Sequence, residues 1–208
     1  MTDLRCDVWL LTENLPEARP RDFNLHLTER RMGTTKHWSG IASRWPITPL
    51  PDPDVASALG ETRGHRFCAS VLPGPFAESY SPWNGGTQAQ EMDEVTARLS
   101  DALSGEPLVW GGDWNQPLTG NILGFSREAQ RTLLRSVGAL GLLVPTTSLP
   151  GRHTTQMSID HIAIPATWSV LDAQQFPVER RLSDHDPYWV EVAPPIAFSD
   201  RKLTAESR

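Results

Sequence analysis

The sequence predicts one α+β or layered α/β domain, in which two packed sheets are flanked by helices. Several short apolar runs, bounded by glycine, proline or polar residues, are typical of strands. Only two segments carry the capping residues and apolar spacing of helices. The 208 residues contain no internal repeat and suit a single core. We therefore place one domain at residues 1–194 and expect residues 195–208 to form a flexible tail.

The N-terminal third is predicted to hold three strands. The first is a short apolar run at residues 7–12 that ends at Glu13. Residues 14–38 are polar, contain two prolines and a run of charges, and indicate a loop, with a helical turn as the alternative. Strands are predicted at residues 41–47 and 65–72 and are expected to pair antiparallel. The proline-rich acidic stretch 49–54 lies in the connection between them.

The remaining two thirds alternate helices with strands. Residues 73–86 indicate a loop that rims a site or is simply a connection. Thr87 begins a helix with a capping box completed by Gln90, and Gly105 follows its end. Its predicted apolar stripe is Met92, Val95, Leu99 and Leu103. Ser126 caps a second helix, with Leu133, Leu134 and Val137 on its apolar side. Further strands are predicted at residues 108–111, 140–144, 158–164 and 188–192.

Composition limits the classes of function. Apolar residues make up 38% and charged residues 21%, so the chain should fold. The net charge of −6 disfavours tight, sequence-independent binding of long nucleic acids. Cys6 and Cys68 form no disulfide framework, and we expect two buried thiols in a reducing compartment. No apolar run reaches eighteen residues and no targeting signal is evident. We therefore expect a cytoplasmic protein without a membrane span, and no obligate protein partner is evident.

Three polar motifs directly follow or open predicted strands. They are GGDWN at residues 111–115, SIDHI at 158–162 and LSDHDP at 182–187. Acids, an amide and an imidazole held on rigid strands suit a catalytic site. Each motif alone has a structural explanation, because Gly, Asp and Asn are common in turns and His161 lies between apolar neighbours. Their occurrence together favours catalysis.

Together with DVWLLTE at residues 7–13, these motifs resemble the endonuclease/exonuclease/phosphatase family. This family includes deoxyribonuclease I, the exonuclease III type of abasic-site endonuclease and sphingomyelinases. The resemblance extends from Asp7 to about Val192. It implies a four-layer α/β/β/α sandwich of two mixed sheets, similar to deoxyribonuclease I. It also implies a divalent-metal-dependent phosphoester hydrolase, which is a phosphodiesterase, a nuclease or a phosphatase.

The resemblance implies a role for each motif residue. Glu13 and Asp184 would bind Mg²⁺ or Mn²⁺, and Asp113 would orient or deprotonate the attacking water. Asn115 would donate a hydrogen bond to the phosphate of the substrate. His185, held by Asp160, would stabilise the transition state. Oxygen ligands of this kind suit a hard divalent cation.

Two further groups have a functional and a structural interpretation. Tyr80 and Trp83 lie in the predicted loop and are candidates for substrate binding, although they also suit a simple connection. The basic stretch, which comprises Arg30, Arg31, Lys36 and His37, would steer phosphates or be merely solvated. The substrate would be a phosphate ester from a nucleic acid, a lipid headgroup or a small molecule.

The sequence departs from the family pattern in two places. The twelve residues before Glu13 are too few for the preceding strand and crossover that the resemblance implies. We expect that strand to be absent, because the start is assigned too far downstream, the gene has decayed or another segment takes its place. Residues 69–74 read ASVLPG, without the histidine of many relatives. The alternative function is therefore an inactive binding module or a truncated gene product.

Overall fold

The computed structural model describes residues 6–17, 21–75, 81–83, 85–105, 107–120, 123–152, 157–179 and 183–195. These residues form an α+β sandwich, which confirms the predicted class. Two sheets pack face to face, since strands near the N-terminus contact the middle strands of a larger, central sheet. All but the first residue of the predicted tail lies outside the described residues.

The central sheet has six strands. In order across the sheet they are β5 (Thr48–Asp54), β6 (Ser57–Thr62), β7 (His65–Val71), β8 (Leu108–Asp113), β10 (Asp160–Pro165) and β9 (Leu142–Leu143). The pair β7–β8 is parallel and the other pairs are antiparallel. The sheet is therefore mixed, and β8 lies between β7 and β10, where both neighbours can present side chains beside its C-terminal end.

The second sheet is antiparallel, and two further strands form a separate hairpin. Its strands are β1 (Val8–Asn14), β2 (Asn24–Leu27), β3 (Arg31–Met32) and β4 (Lys36–Ser43), and the hairpin is β11 (Ser169–Gln175) with β12 (Tyr188–Ala193). Among the described strands, β1 pairs with β4 alone and β12 with β11 alone. Leu10 of β1 and Val192 of β12 pack against the same buried cluster. Both strands therefore lie on one face of the central sheet.

Two helices cover the other face of the central sheet. They are α1 (Gln88–Leu103), which Thr87 and Gln90 begin with the predicted capping box, and α2 (Arg127–Ala139), capped by Ser126. The predicted stripe of α1 is fully buried, and it shares one cluster with Leu133 of α2 and Trp110 of β8. Neither helix of the described chain has both the length and the apolar character to cross a bilayer.

The loop predicted at residues 14–38 is wrong at residues 24–27, 31–32 and 36–38. This segment contains β2, β3 and the start of β4. Leu25 and Leu27 alternate with Asn24 and His26, which is the periodicity of a strand. The alternation is only four residues long and lies among charges, so the local signal is weak. Pairing with β4 stabilises these strands, and that partner is distant in sequence.

The predicted pairing of residues 41–47 with 65–72 is also wrong. Strands β4 and β7 belong to different sheets and pack face to face, where the Ser39 hydroxyl lies 2.7 Å from the Ala69 carbonyl oxygen. The stretch expected to connect them forms β5, and residues 57–62 form β6. The prolines of β5 occupy alternate positions of an edge strand, where a missing N–H on the outward side breaks no hydrogen bond of the sheet.

Several smaller predictions need correction. Leu134 is 43% exposed, so it lies outside the apolar face of α2, whereas its neighbour Leu133 is fully buried. The strand predicted at residues 140–144 contains only two residues, and β11 was not predicted. Cys68 is buried as expected, but Cys6 is only half-buried, and both thiols are free.

The contrast between Leu133 and Leu134 gives a test of the packing. Leu133→Ala should lower the free energy of unfolding by about 2–5 kcal/mol, because it leaves a cavity in the core. Leu134→Ala, the matched control, should change it by less than about 1 kcal/mol. Urea denaturation of both variants measures the difference. Equal losses would contradict the observed orientation of α2.

Candidate active site

The pairing of β8 with β10 places two of the predicted acids side by side. Asp113, the last residue of β8, lies directly opposite Asp160, the first residue of β10. The preceding Gly112 has φ +131°, and a Cβ there would lie 2.2 Å from the carbonyl oxygen of Ser70. Only glycine allows this approach of β7. The GGD sequence therefore places Asp113 at a tightly packed position between β7 and β10.

His185 lies against Asp160, as predicted. Its Nδ1 is 3.0 Å and 2.9 Å from the two carboxylate oxygens of Asp160. This hydrogen bond, aided by the charges of Asp160 and Asp113, raises the pKa of His185 to about 10, although burial acts in the opposite direction. His185 is therefore an imidazolium at neutral pH, with Nδ1 donating to Asp160.

Asp113 faces the same imidazolium from the other side. Its Oδ2 is 3.9 Å from His185 Nε2, too long for a direct hydrogen bond. The side chain is only 8% exposed. Burial raises the pKa of Asp113 to about 8, with a further contribution from the charge of Asp160, while His185 opposes the shift. Burial also raises the pKa of Asp160, and its hydrogen bond with His185 limits this rise.

Asn115 holds Asp113 in position. Its backbone N–H donates to Asp113 Oδ1 at 2.9 Å, and its side-chain amide donates to Asp113 Oδ2 at 3.2 Å and to the Leu72 carbonyl oxygen at 3.0 Å. The residue has φ +51°, a conformation that asparagine tolerates better than most side chains. The amide N–H groups predicted to bind phosphate are thus directed inward in this conformation.

Glu13 and Asp184, the predicted metal ligands, lie at the periphery of this group. Glu13 is exposed, has φ +49° and forms an ion pair of 3.0 Å with Lys36. Its charge contributes to the raised pKa of Asp113, so it lies near the site. Asp184 is also exposed, and its charge contributes to the raised pKa values of His185 and Asp160.

The other candidate residues differ in their relation to the site. Tyr80 lies outside the described residues. Trp83 is half-buried and packs against Trp38, with ring centroids 5.9 Å apart, so its ring contributes to the core. Of the basic stretch, Lys36 alone has a described contact with a predicted site residue. Arg31 bonds Thr34, and His37 bonds the Thr28 carbonyl oxygen.

His161 is structural, as its apolar neighbours indicated. It is 1% exposed, contacts the Trp114 ring and lies 3.1 Å from the Gln116 carbonyl oxygen through Nε2. Burial lowers its pKa to about 4. The neutral ring therefore donates from Nε2 to this carbonyl and supports the segment that follows Asp113.

Sequence reasoning missed Gln88, which supports the site from α1. Its Nε2 lies 3.2–3.3 Å from the carbonyl oxygens of Pro73 and Asn115 and from Gln116 Oε1, and its Oε1 accepts the backbone N–H of Ser126. A glutamine in the first turn of a helix carries no local signal for such contacts. Sequence reasoning also missed Arg152, which donates to the His185 carbonyl oxygen.

The donor chemistry of the site fits a hard divalent cation. One oxygen or nitrogen each of Asp113, Asp160 and His185 lies within 4.8 Å of the others, with Glu13 and Asp184 nearby. Two of these three groups are carboxyl groups, and Glu13 and Asp184 would add further carboxylate oxygens. Such ligands suit Mg²⁺ or Mn²⁺ better than zinc.

Comparisons with known proteins agree on one family. The sequence matches the Endonuclease/Exonuclease/phosphatase family over residues 1–185. A solved structure similar to it is the endonuclease domain of TRAS1, a telomere-specific non-LTR retrotransposon, with TM-score 0.62 and 16% identity over 90% of this chain and 85% of that chain. Another is an endonuclease/exonuclease/phosphatase from Beutenbergia cavernae, with TM-score 0.58 and 16% identity over 92% of this chain and 64% of that chain. No curated protein matches the sequence. The deoxyribonuclease I-like fold and the resemblance are thus confirmed.

The raised pKa of Asp113 predicts how stability depends on pH. The carboxyl ionises near 3.8 ordinarily and near 8 in the folded chain, so its contribution to stability is present at low pH and is lost as pH rises to 8. Asp113→Asn cannot ionise. Without divalent metal, its stability relative to wild type should increase between pH 4 and 8 by more than about 1.4 kcal/mol, the equivalent of one pKa unit. Urea denaturation at several pH values measures the free energy of unfolding of both chains. If it changes with pH by the same amount in wild type and in Asp113→Asn, the prediction is wrong.

Proposed function

Because the chain belongs to the endonuclease/exonuclease/phosphatase family, we propose that it is a divalent-metal-dependent phosphoester hydrolase centred on Asp113, Asp160 and His185. Membership of the family supports hydrolysis of phosphoesters as the reaction class. The observation that carries the proposal is the position of His185, with Nδ1 held by Asp160 and Nε2 directed toward Asp113. Water would attack phosphorus without a covalent enzyme intermediate.

His185 would stabilise the negative charge that develops on the phosphoryl group. Its imidazolium is maintained by Asp160, which also fixes the direction of the ring. Nε2 has no described hydrogen-bond partner and can donate to a phosphoryl oxygen or to the leaving group. A donor fixed before the reaction stabilises the transition state without reorganising. Asp160 acts through His185 and is a positioning residue.

Asp113 would accept the proton of the attacking water. A pKa near 8 makes this carboxylate a stronger base than an ordinary aspartate, and general bases are most effective when their pKa lies near the working pH. Asn115 fixes both carboxylate oxygens, so the orientation of Asp113 is set before substrate binds. The predicted phosphate contact of Asn115 would require its amide to exchange the Leu72 carbonyl for the substrate.

Glu13 and Asp184 would hold Mg²⁺ or Mn²⁺ at the open side of the site. Such an ion, when bound, neutralises phosphoryl charge and lowers the barrier to attack. The support for this assignment is the family resemblance, together with the influence of the Glu13 charge on Asp113 and of the Asp184 charge on His185. The closest group of possible metal donors comprises Asp113, Asp160 and His185, and Glu13 and Asp184 lie outside it. Lys36 now partly neutralises Glu13, and it would have to release this carboxylate when a cation binds.

The substrate class within the phosphoesters follows from charge and accessibility. The net charge of −6 and the lack of described contacts with site residues for the basic stretch other than Lys36 favour small esters or local contacts over a long polyanion. The structurally similar TRAS1 domain is an endonuclease, so nucleic acid is the first macromolecule to test. Lipid headgroups and exonuclease or phosphatase substrates would follow. The two free thiols favour a reducing compartment such as the cytoplasm.

The proposal predicts hydrolysis of an aryl phosphodiester with Mg²⁺ or Mn²⁺ and none with EDTA. Asp113→Asn and His185→Ala should each lower kcat by about 100-fold or more, because each removes a group that acts on the reacting atoms. Asp54→Asn, which changes a buried acid on β5, three strands away from β8 in the central sheet, is the matched control. Activity retained by Asp113→Asn would refute the assignment. A folded chain that binds metal and hydrolyses nothing would favour the alternative binding module.

The ion pair of Glu13 and Lys36 predicts opposite effects on metal affinity. Glu13→Gln should weaken Mn²⁺ binding, because a charged ligand is lost. Lys36→Met should strengthen it by up to about fivefold, since exposed ion pairs are worth at most about 1 kcal/mol. Titration calorimetry measures both, with Arg31→Met on the neighbouring strand as control. Weaker binding by Lys36→Met would contradict the proposed competition.

A further inference from the structure

We propose that Arg152 and Asp186 are positioning residues that fix His185 for the reaction. This inference rests on the proposed function and deepens it, because it assigns a role to Arg152, which lies outside the family motifs, and to Asp186, which lies in the LSDHDP motif but had no role assigned. The pair is termed the Arg152–Asp186 clamp. Its two members are 34 residues apart in sequence and join the segment after Pro150 to the loop at residues 183–187.

Arg152 contacts the backbone of His185 directly. Its Nη1 lies 3.1 Å from the His185 carbonyl oxygen and 3.1 Å from Asp186 Oδ1. Its Nη2 donates to the Val178 carbonyl oxygen at 3.0 Å. One guanidinium therefore donates to three acceptors, which are the carbonyl oxygens of Val178 and His185 and the carboxylate of Asp186. The planar fork of arginine suits this task, whereas a single ammonium cannot reproduce its geometry.

Asp186 completes the clamp from within the loop. Its Oδ1 also accepts the backbone N–H of Val178 at 3.0 Å, and its Oδ2 accepts Gln175 Nε2 at 2.9 Å. The side chains of Asp186 and Arg152 are 6% and 15% exposed. Both carboxylate oxygens thus have partners, and the residue that follows His185 is attached to the end of β11 and to the segment after it.

These contacts hold the middle of the loop, where His185 lies. Residues 183–187 belong to no strand. The ends of the loop are bonded separately, because Phe176 N–H donates to the Pro187 carbonyl oxygen at 2.9 Å and Ser183 N–H to the Glu179 carbonyl oxygen at 3.4 Å. The other described bond of His185's backbone is local, from its N–H to Ser183 Oγ at 3.0 Å. Asp160 holds the imidazole and Arg152 holds the carbonyl of the same residue. His185 is therefore fixed at both ends, which directs Nε2 toward Asp113.

A purely stabilising role explains the clamp less well. Taking two charges out of water offsets most of their attraction, so an apolar pair of similar size would serve the core equally. The clamp instead contacts the backbone of His185, whose ring must be aligned for the reaction. Misplacement of a catalytic group by about 1 Å can lower a rate by about 100-fold. Orientation is the property that this pair supplies.

Two measurements test the clamp. The first is the proton NMR signal of His185 Nδ1–H, which is deshielded and slow to exchange while it is bonded to Asp160. The second is the separation of kcat from KM with an aryl phosphodiester. Arg152→Met should lose the signal and lower kcat by about 10- to 100-fold, with KM within about twofold. Asp186→Asn should retain most of both properties, because Gln175 can present its amide oxygen instead of its nitrogen.

The controls separate this inference from the proposed function. Arg98→Met removes an arginine from another buried aspartate, Asp54, and should change neither measurement. If Arg152→Met does not fold, Arg152→Met/Asp186→Leu leaves no unpaired charge and carries the same expectation. A folded variant that keeps the Nδ1 proton signal and full kcat overturns the clamp. If the wild-type chain hydrolyses nothing and Arg152→Met still loses the Nδ1–H signal, the clamp is supported and only the proposed function is refuted.

Discussion

The site depends on the antiparallel pairing of β8 with β10, which places Asp113 opposite Asp160. The side chain of Asp113 is 8% exposed and that of Asp160 is 20% exposed, with oxygens of the two within 4.8 Å of each other, so each carboxyl group disfavours the charge of the other. His185 makes the arrangement tolerable, because its imidazolium lies between them and bonds one of them. Two residues next to Asp113 make this arrangement possible. Gly112 permits the close approach of β7, and Asn115 satisfies both oxygens of Asp113.

Such an arrangement lowers stability and is therefore informative about function. A core without ionisable groups would fold more readily, since a buried carboxyl must remain protonated or find a counter-charge. Three of the groups with shifted pKa values in this domain, Asp113, Asp160 and His185, lie together at one end of the central sheet. Shifted values in one cluster are typical of catalytic sites. The proposed chemistry thus depends on the same pairing that forms the sheet.

The sequence predicted the family and its candidate site residues more readily than the topology. Asp113, Asp160 and His185 each adjoin an apolar strand, so short local patterns were enough to select them as candidates. The capping box of α1 is similarly local, and it was predicted correctly. In contrast, β2 is too short to identify without its partner, and the prolines of β5 indicated a connection because only its edge position makes them compatible with a strand.

The contacts that align the site could not be predicted for a related reason. Gln88 reaches Gln116 across 28 residues, and Arg152 reaches Asp186 across 34. Neither residue lies in a motif, and a polar side chain at a helix start or in a loop is ordinarily solvated. Only the packing of α1 and the course of the chain after Pro150 bring these groups to their partners. Their roles depend on tertiary structure alone.

The prolines of β5 also affect how copies of this domain can associate. An open sheet edge offers unpaired N–H and C=O groups to a strand of another molecule. The central sheet ends at β5, which contains Pro49, Pro51 and Pro53, and at β9, which has only two residues. Neither edge offers a regular ladder, so the sheet that carries Asp113 and Asp160 resists growing into a continuous intermolecular sheet.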